Sequence, residues 1–353
     1  MKTSQRNVVS LLIAIASLVL IVAGIKAMSG LLSPILLSLF IVLVTSPIMS
    51  WLKRRGFPGW VAYTIVLFGV ISVGLIFILF FTISFEQLAD VYPNYVKQIE
   101  AQLNNLWQWL NERGIESEDI QSLPWFQPEW IIQLGLSLIS SLLGIFSNIG
   151  LTLLIFIYML ASSPTFYQQL RRGLGNDSPL LGKFRDFAQS TSTYLLIKSW
   201  LGVFTALCQI ILMWIMGVEF AVLWGVLSFL FNFIPNIGFY IALVPPVVLV
   251  LLNQGLWQAV IFGVIYALIN NFFDVVVAPR YLGKGLDLSV LVTFIAVVIW
   301  TWILGPIGAF LALPLTIMVK KLVLETFPQT QILASLLSSG DDDDNKERSK
   351  LER

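Results

Sequence analysis

Histidine is absent from this 353-residue chain, and cysteine occurs once, as Cys208. No disulfide can close within the chain, and a Cys/His metal centre has no ligands. Without histidine, proton chemistry near neutral pH falls on a carboxylate whose pKa its surroundings have raised. A Ser/His/Asp set and an H-E-x-x-H motif are excluded on the same ground, and no G-x-x-x-x-G-K-[ST] phosphate loop occurs. No catalytic set of these kinds and no Cys/His metal site is therefore expected. Charge is scarce too: 12% of residues are Asp, Glu, Lys or Arg, against about 25% in a soluble domain. With 57% of residues hydrophobic, the apolar excess must face lipid. The net charge of +1 gives no reason to expect a nucleic-acid partner. The expected fold class is an all-α polytopic integral membrane protein, with about eight hydrophobic segments long enough to engage a bilayer.

Apolar runs at Val8–Ile25, Leu31–Ser50, Gly59–Ile83, Ser137–Ala161, Leu201–Met216 and Trp257–Phe273 read as spans. Lys2 and Arg6 precede the first run, no small-residue cleavage site closes it, and it reads as a retained span. Basic residues favour the cytoplasmic side. Lys2 and Arg6, Lys53–Arg55, and Arg171, Arg172, Lys183 and Arg185 then alternate correctly with the spans, and both termini are expected in the cytoplasm. The stretch Ser84–Leu136 carries eight acids against Lys97 and Arg113. It is poor in Lys and Arg, which suits the outer face. Leu88, Tyr92, Tyr95, Ile99, Leu103, Leu106 and Leu110 mark a helical stripe in it. That stripe packs on its own hairpin, lies on the membrane, or meets a neighbouring subunit in a homo-oligomer. Ser178-Pro179 opens a second amphipathic helix as N-cap and first helical residue.

Two further stretches, Phe220–Leu252 and Leu288–Val319, are each broken by a Pro/Gly cluster: Ile234-Pro235-Asn236-Ile237-Gly238 and Leu304-Gly305-Pro306-Ile307-Gly308. Each exceeds the ~20 residues that one span needs. Backbone groups freed at membrane depth survive only where protein or a water-filled cavity covers them. One reading makes each stretch a re-entrant hairpin. Arg280, Lys284, Lys320 and Lys321 then all fall inside, and Tyr194–Leu252 and Trp257–Lys320 form an inverted repeat. The other reading is two long kinked helices.

Polar residues cluster in and beside these segments: Gln209, Asn232, Asn236, Asn270, Asn271, Asp274, Arg280 and Thr301. A single amide of this kind ordinarily glues helices together; the clustering points to a pathway. Asp274 is the only acid between Glu219 and Asp287, and a membrane-embedded carboxylate is a functional candidate by default. Arg280 is close enough in sequence to pair with it. Lys198 either snorkels to the cytoplasmic interface or faces the pathway and attracts an anionic solute.

The segments Phe229–Gly238 (FLFNFIPNIG), Ala242–Pro246 (ALVPP), Ala278–Ser289 (APRYLGKGLDLS) and Trp300–Leu315 (WTWILGPIGAFLALPL) resemble the autoinducer-2 exporter family of bacterial permeases. Tyr194–Lys198, Gly217–Gly225 and Leu304–Pro306 are most similar to its autoinducer-2 transport branch. The resemblance is specific over Tyr194–Glu325; the N-terminal half agrees only in layout. It implies a secondary transporter without a cofactor, linked in some members to export of the signal autoinducer-2 and in others to Na⁺(Li⁺)/H⁺ antiport. Ala278 stands where the family often has the Glu of Glu-Pro-Arg. If that Glu couples antiport, this chain lacks it unless Asp274, one turn earlier, substitutes.

The organisation expected is a three-span region at 1–83, an extracytoplasmic helical insert at 84–136, and a fourth span with a cytoplasmic amphipathic helix at 137–193. A transport core at 194–325 and a disordered cytoplasmic tail at 326–353 follow. The expected activity is that of a secondary transporter, permease or exporter, moving a small polar solute, with autoinducer-2 as the candidate, across the bacterial inner membrane by alternating access. The pathway is assigned to Asn232, Pro235, Asn236, Gly238, Asn270, Asn271, Asp274, Arg280, Gly305, Pro306 and Gly308, with Lys198 as a cytoplasmic-side contact. The expected partners are the lipid bilayer, that solute or a monovalent cation or proton, and further copies of the chain. The rivals are a Na⁺(Li⁺)/H⁺ antiporter, a membrane scaffold and a passive channel.

Overall fold

The computed structural model describes residues 2–113, 149–175, 178–235, 237–282, 288–326, 330 and 337. These residues form helices and no strand. The first five helices are α1 (Lys2–Ala27), α2 (Ser29–Arg54), α3 (Gly59–Glu112), α4 (Ile149–Leu174) and α5 (Pro179–Ile215). Next come α6 (Ala221–Phe231), α7 (Gly238–Gln254), α8 (Leu256–Asn271), a π-helical segment Phe272–Val277 and α9 (Ala278–Leu282). Then α10 (Val290–Leu304) and α11 (Pro306–Val319) lead to a second π-helical segment, Lys320–Leu324. Among the described residues, five runs are long and apolar enough to cross a membrane: Ser29–Arg54, Gly59–Leu88, Pro179–Ile215, Leu256–Tyr281 and Pro306–Leu324. The all-α polytopic class is as the composition requires. Leu75, Ile76 and Leu79 on α3 and Trp257, Val264 and Leu268 on α8 are more than half exposed, as lipid-facing side chains should be.

Two expected junctions are absent. The third span and the striped insert helix are one 54-residue helix, α3, roughly 81 Å long at 1.5 Å per residue. The apolar stripe continues in helical phase past Ser84, and Pro93 lies inside the helix. The amphipathic stretch from Pro179 and the span Leu201–Met216 likewise form the single helix α5. The return segment 114–136 and the start of the fourth span, before Ile149, lie outside the described residues. So does most of the tail 326–353. Within that tail, the Thr330 hydroxyl donates to the Leu324 carbonyl at 2.7 Å, and the Leu337 carbonyl accepts from the Ser289 N–H at 3.2 Å.

The chain divides into two compact units. One comprises Met1–Pro47, Asn148–Ser192 and Leu286–Arg353, the other Ile48–Ser147 and Thr193–Gly285. Each holds one broken stretch, and in each the stretch is a helical hairpin rather than a kinked rod. In the first unit, Trp300 Nε1 donates to Thr316 Oγ1 at 3.0 Å. Sixteen residues of straight helix would hold those groups about 24 Å apart. Gly305 alone makes the turn, at φ 70°, a conformation that only glycine adopts cheaply. Pro306 follows as the first residue of α11, where its missing N–H is not needed. Ser289 caps α10, its Oγ accepting from Val292 N at 3.2 Å.

In the second unit, α6 and α7 fold back at Asn232–Ile237. The turn places Gly238 against the Phe231 carbonyl, so that a Cβ there would lie 1.9 Å from that oxygen. The core of this unit includes Phe81, Met213, Leu223, Phe262 and Tyr266, all at most 2% exposed. Tyr95, on α3 beyond Leu88, donates its hydroxyl to Glu219 Oε2. Burial first, and then the Glu219 carboxylate, push that phenol above its usual range. It therefore remains a donor at every physiological pH.

A methyl group at either close approach has nowhere to go, because the neighbour is backbone. At Gly308 the added Cβ would lie 1.9 Å from the Trp300 carbonyl oxygen, whereas at Gly150 nothing lies within 4 Å. Gly308→Ala and Gly238→Ala are each expected to destabilise the fold by about 2–3 kcal/mol, and Gly150→Ala to be neutral. Thermal unfolding of the detergent-solubilised protein measures the difference.

Candidate functional site

The polar residues of the second unit gather on one seam, between α5, α6 and α8. Helical spacing puts them there. On α5, Lys198, Gly202 and Gln209 share a face over three turns; on α8 and the π segment, Tyr266, Asn270 and Asp274 recur every four residues. The contacts across α5 and α6 run antiparallel. Gly202 lies against Asn232, Gln209 bonds Ser228, and Ile210 abuts Gly225.

Asp274 is the centre of charge. Its Oδ1 lies 2.8 Å from Lys198 Nζ, and its Oδ2 accepts from Asn270 Nδ2 at 3.1 Å. The Lys198 side chain is 15% exposed and the Asp274 side chain 38%. Arg280 is not the partner. It is exposed, and among the described residues Asp274 forms its ion pair with Lys198. The reason is geometric: six residues of helix carry Arg280 to another face than Asp274, whereas the four-residue spacing keeps Asp274, in the π-helical segment, on the seam with Tyr266 and Asn270 and facing α5. Lys198 is accordingly committed to a carboxylate.

The remaining assigned residues divide cleanly. Asn232 caps α6 and buries its Nδ2 against Gly202 without a hydrogen bond. Pro235 stands in the hairpin turn, whose N–H groups at Asn232, Phe233, Ile234, Ile237 and Gly238 are satisfied within the turn itself. Asn271 is exposed and does not join Asn270. Asn236 lies outside the described residues. Gly305, Pro306 and Gly308 belong to the other unit, where the carbonyl freed at Leu304 accepts from Ser33 Oγ of α2 at 3.2 Å. Protein thus covers that exposed backbone group, as a membrane-depth break demands.

Beyond the seam, where α5 meets α6, lies a cleft of about 490 Å³ lined by Phe80, Ser84, Gln87, Trp214, Glu219 and Phe220, among others. Phe220 holds φ 57°, a left-handed conformation uncommon for an aromatic residue. Four seam residues escaped the initial assignment: Gln209, noted only as one amide among several, and Ser228, Tyr266 and Trp224. Gln209 was within reach, since it lies three turns from Lys198. Ser228, Tyr266 and Trp224 carry no sequence signal that separates them from ordinary packing residues.

The apolar helices, two of them broken, with an ion pair set among them, make this a polytopic membrane protein, and its family makes it a transporter. The chain belongs to the AI-2E family of transporters, whose model matches residues 15–327. It is 31% identical to the AI-2 transport protein TqsA of Escherichia coli (strain K12), over 94% of this chain and 96% of that protein. It is 30% identical to the "Putative transport protein YhhT" of the same strain, over 94% of each.

The pair makes a direct prediction. Lys198→Met and Asp274→Asn each leave a partly buried group without its partner. The expected loss is about 1–3 kcal/mol, between the values for exposed and for buried pairs. The exchange Lys198→Asp with Asp274→Lys should recover part of it. Chemical or thermal unfolding of the two single variants, of their double Lys198→Met/Asp274→Asn, which closes the double-mutant cycle, and of the exchanged pair measures both.

Proposed function

We propose that this protein is a permease that moves a small polar solute across the bacterial inner membrane by alternating access, and that AI-2 is that solute. The family supports transport, and the name of TqsA supports AI-2. The observation that carries the reading is the Lys198–Asp274 pair with Asn270, held at a π-helical segment in an otherwise apolar run. Ionisable groups in such runs mark solute and ion pathways, and π-helical turns concentrate at functional sites. In this reading the two hairpins are re-entrant and inverted, the first dipping from the outer face and the second from the cytoplasm. They line the path with Asn232, Pro235, Asn236, Gly238, Gly305, Pro306 and Gly308, while Asn270, Asn271, Asp274 and Arg280 flank it. Both termini are cytoplasmic, and the distal part of α3 meets a second copy of the chain.

One observation favours a second reading, Na⁺(Li⁺)/H⁺ antiport. Asp274 is a carboxylate whose lysine partner a monovalent cation can displace. Reconstituted vesicles separate the two. AI-2 efflux without a Na⁺- or Li⁺-driven pH change supports the permease, and such a pH change supports the antiporter. Asp274→Asn is expected to lower flux by about tenfold or more, the scale of a single ~1.4 kcal/mol interaction. Unchanged flux with normal expression rejects the role given to Asp274. Equilibration that never exceeds the external concentration identifies a passive channel.

A further inference from the structure

We propose that Gln209, Ser228, Tyr266 and Trp224 form a buried site for a neutral, oxygen-rich solute, which the protein grips through hydrogen-bond donors alone. The proposal rests on the transport reading and names the part of the solute that the seam recognises.

All four side chains are at least nine-tenths buried: Gln209 and Tyr266 are 0% exposed, Ser228 and Trp224 6%. One hydrogen bond is made among them, from Ser228 Oγ to Gln209 Oε1 at 2.5 Å. It commits the acceptor of the glutamine and leaves its Nε2 without a partner. The Tyr266 hydroxyl lies beside Ser228 yet forms no hydrogen bond of ordinary geometry. Trp224 Nε1, one turn before Ser228 on the same face of α6, is also unpartnered. Asn232 Nδ2 continues the series toward Lys198. From Asn232 to Trp224 the series covers eight residues, about 12 Å of helix.

An unmet buried donor is costly, and lipid offers no acceptor. Polar residues that serve only as helix glue bond to one another; here one bond is made and four donor groups are left over. The unmatched chemistry specifies the ligand. The N–H groups of Gln209, Trp224 and Asn232 take lone pairs, so hydroxyl, ether or carbonyl oxygens fit, whereas an ammonium group, itself a donor, does not match them. The cluster holds no charged side chain, and the Lys198–Asp274 pair is neutral as a whole, so a neutral solute is favoured over an anion. Access is built in at the end of α6. The cleft beyond it reaches Leu223, the residue before Trp224. The turn that enters α6 combines Gly217 at φ 64° with Phe220 at φ 57°, and the Pro235 turn ends it. A short helix with irregular backbone at both ends can swing as a unit.

Tyr266→Phe and Gln209→Met each delete an unmatched donor with little change of volume. For a structural cluster, such changes either lower stability or do nothing. For a binding site, they leave stability unchanged or raised and weaken binding. The full-length protein is purified in detergent, and thermal shift is measured with D-ribose as the neutral polyol and methylammonium as the donor-only contrast. D-ribose is expected to stabilise the wild type, and both variants to bind it about fivefold or more weakly, the scale of one hydrogen bond. Methylammonium should act on all three alike. The proposal is overturned if D-ribose gives no shift in the wild type beyond that of a denaturation-neutral osmolyte. It is equally overturned if both variants keep the wild-type affinity, or if stability falls in step with binding. Failure of AI-2 flux in vesicles bears on the transport reading alone, since this binding measurement needs no flux.

Discussion

Main-chain N–H and C=O groups that leave a helix within hydrocarbon must find partners, because lipid supplies none. That constraint explains why both Pro/Gly clusters are hairpins. At the second, the turn is compressed into Gly305, Pro306 contributes no N–H to satisfy, and Ser33 takes up the carbonyl of Leu304. At the first, the N–H groups of Asn232, Phe233, Ile234, Ile237 and Gly238 are satisfied by short-range bonds within the turn and the end of α6. Glycine at 238 and 308 is then obligatory, since the two arms close on each other through bare backbone.

The side chains follow the opposite logic. Where the backbone is satisfied, the seam of α5, α6 and α8 is left with donors to spare. The Lys198–Asp274 pair stands at one end and the Glu219 carboxylate at the cleft, with neutral donors between them. That neutral stretch suits a solute that is polar but carries no net charge. A permanently closed helix interface would be more stable with leucine at 209 and phenylalanine at 266, so retaining the polar groups there argues for use rather than for cohesion.

Much of the architecture was legible because lipid simplifies the pattern. Spans read from apolar runs, and breaks from Pro and Gly inside them, need only local information. The register of α5 was legible for the same reason: 3.6-residue periodicity puts Lys198 and Gln209 on one side. Ion-pair choice was not. Arg280 is nearer to Asp274 in sequence than Lys198 is, yet the pairing depends on which helix packs against α8, which no residue pattern announces. Continuity across Ser84 was hidden as well. A change from lipid to water alters composition abruptly, yet the backbone hydrogen bonds of α3 run through it without interruption. Tyr266 and Trp224 are the hardest case, since an aromatic residue with a polar tip looks the same whether that tip is matched or idle.

The length of α3 has a mechanical corollary. A continuous rod transmits rotation as faithfully as position, at about 100° for each residue. Inserting one residue between Leu88 and Tyr95 would leave the membrane portion intact and wind the whole outer portion around its axis, carrying the Tyr95 hydroxyl away from Glu219. Inserting seven would restore the azimuth to within about 20° but displace the tyrosine outward by about 10 Å. The fold is therefore keyed to both the phase and the reach of one uninterrupted shaft, and tolerance to insertion, usually high outside a membrane, should be unusually low there.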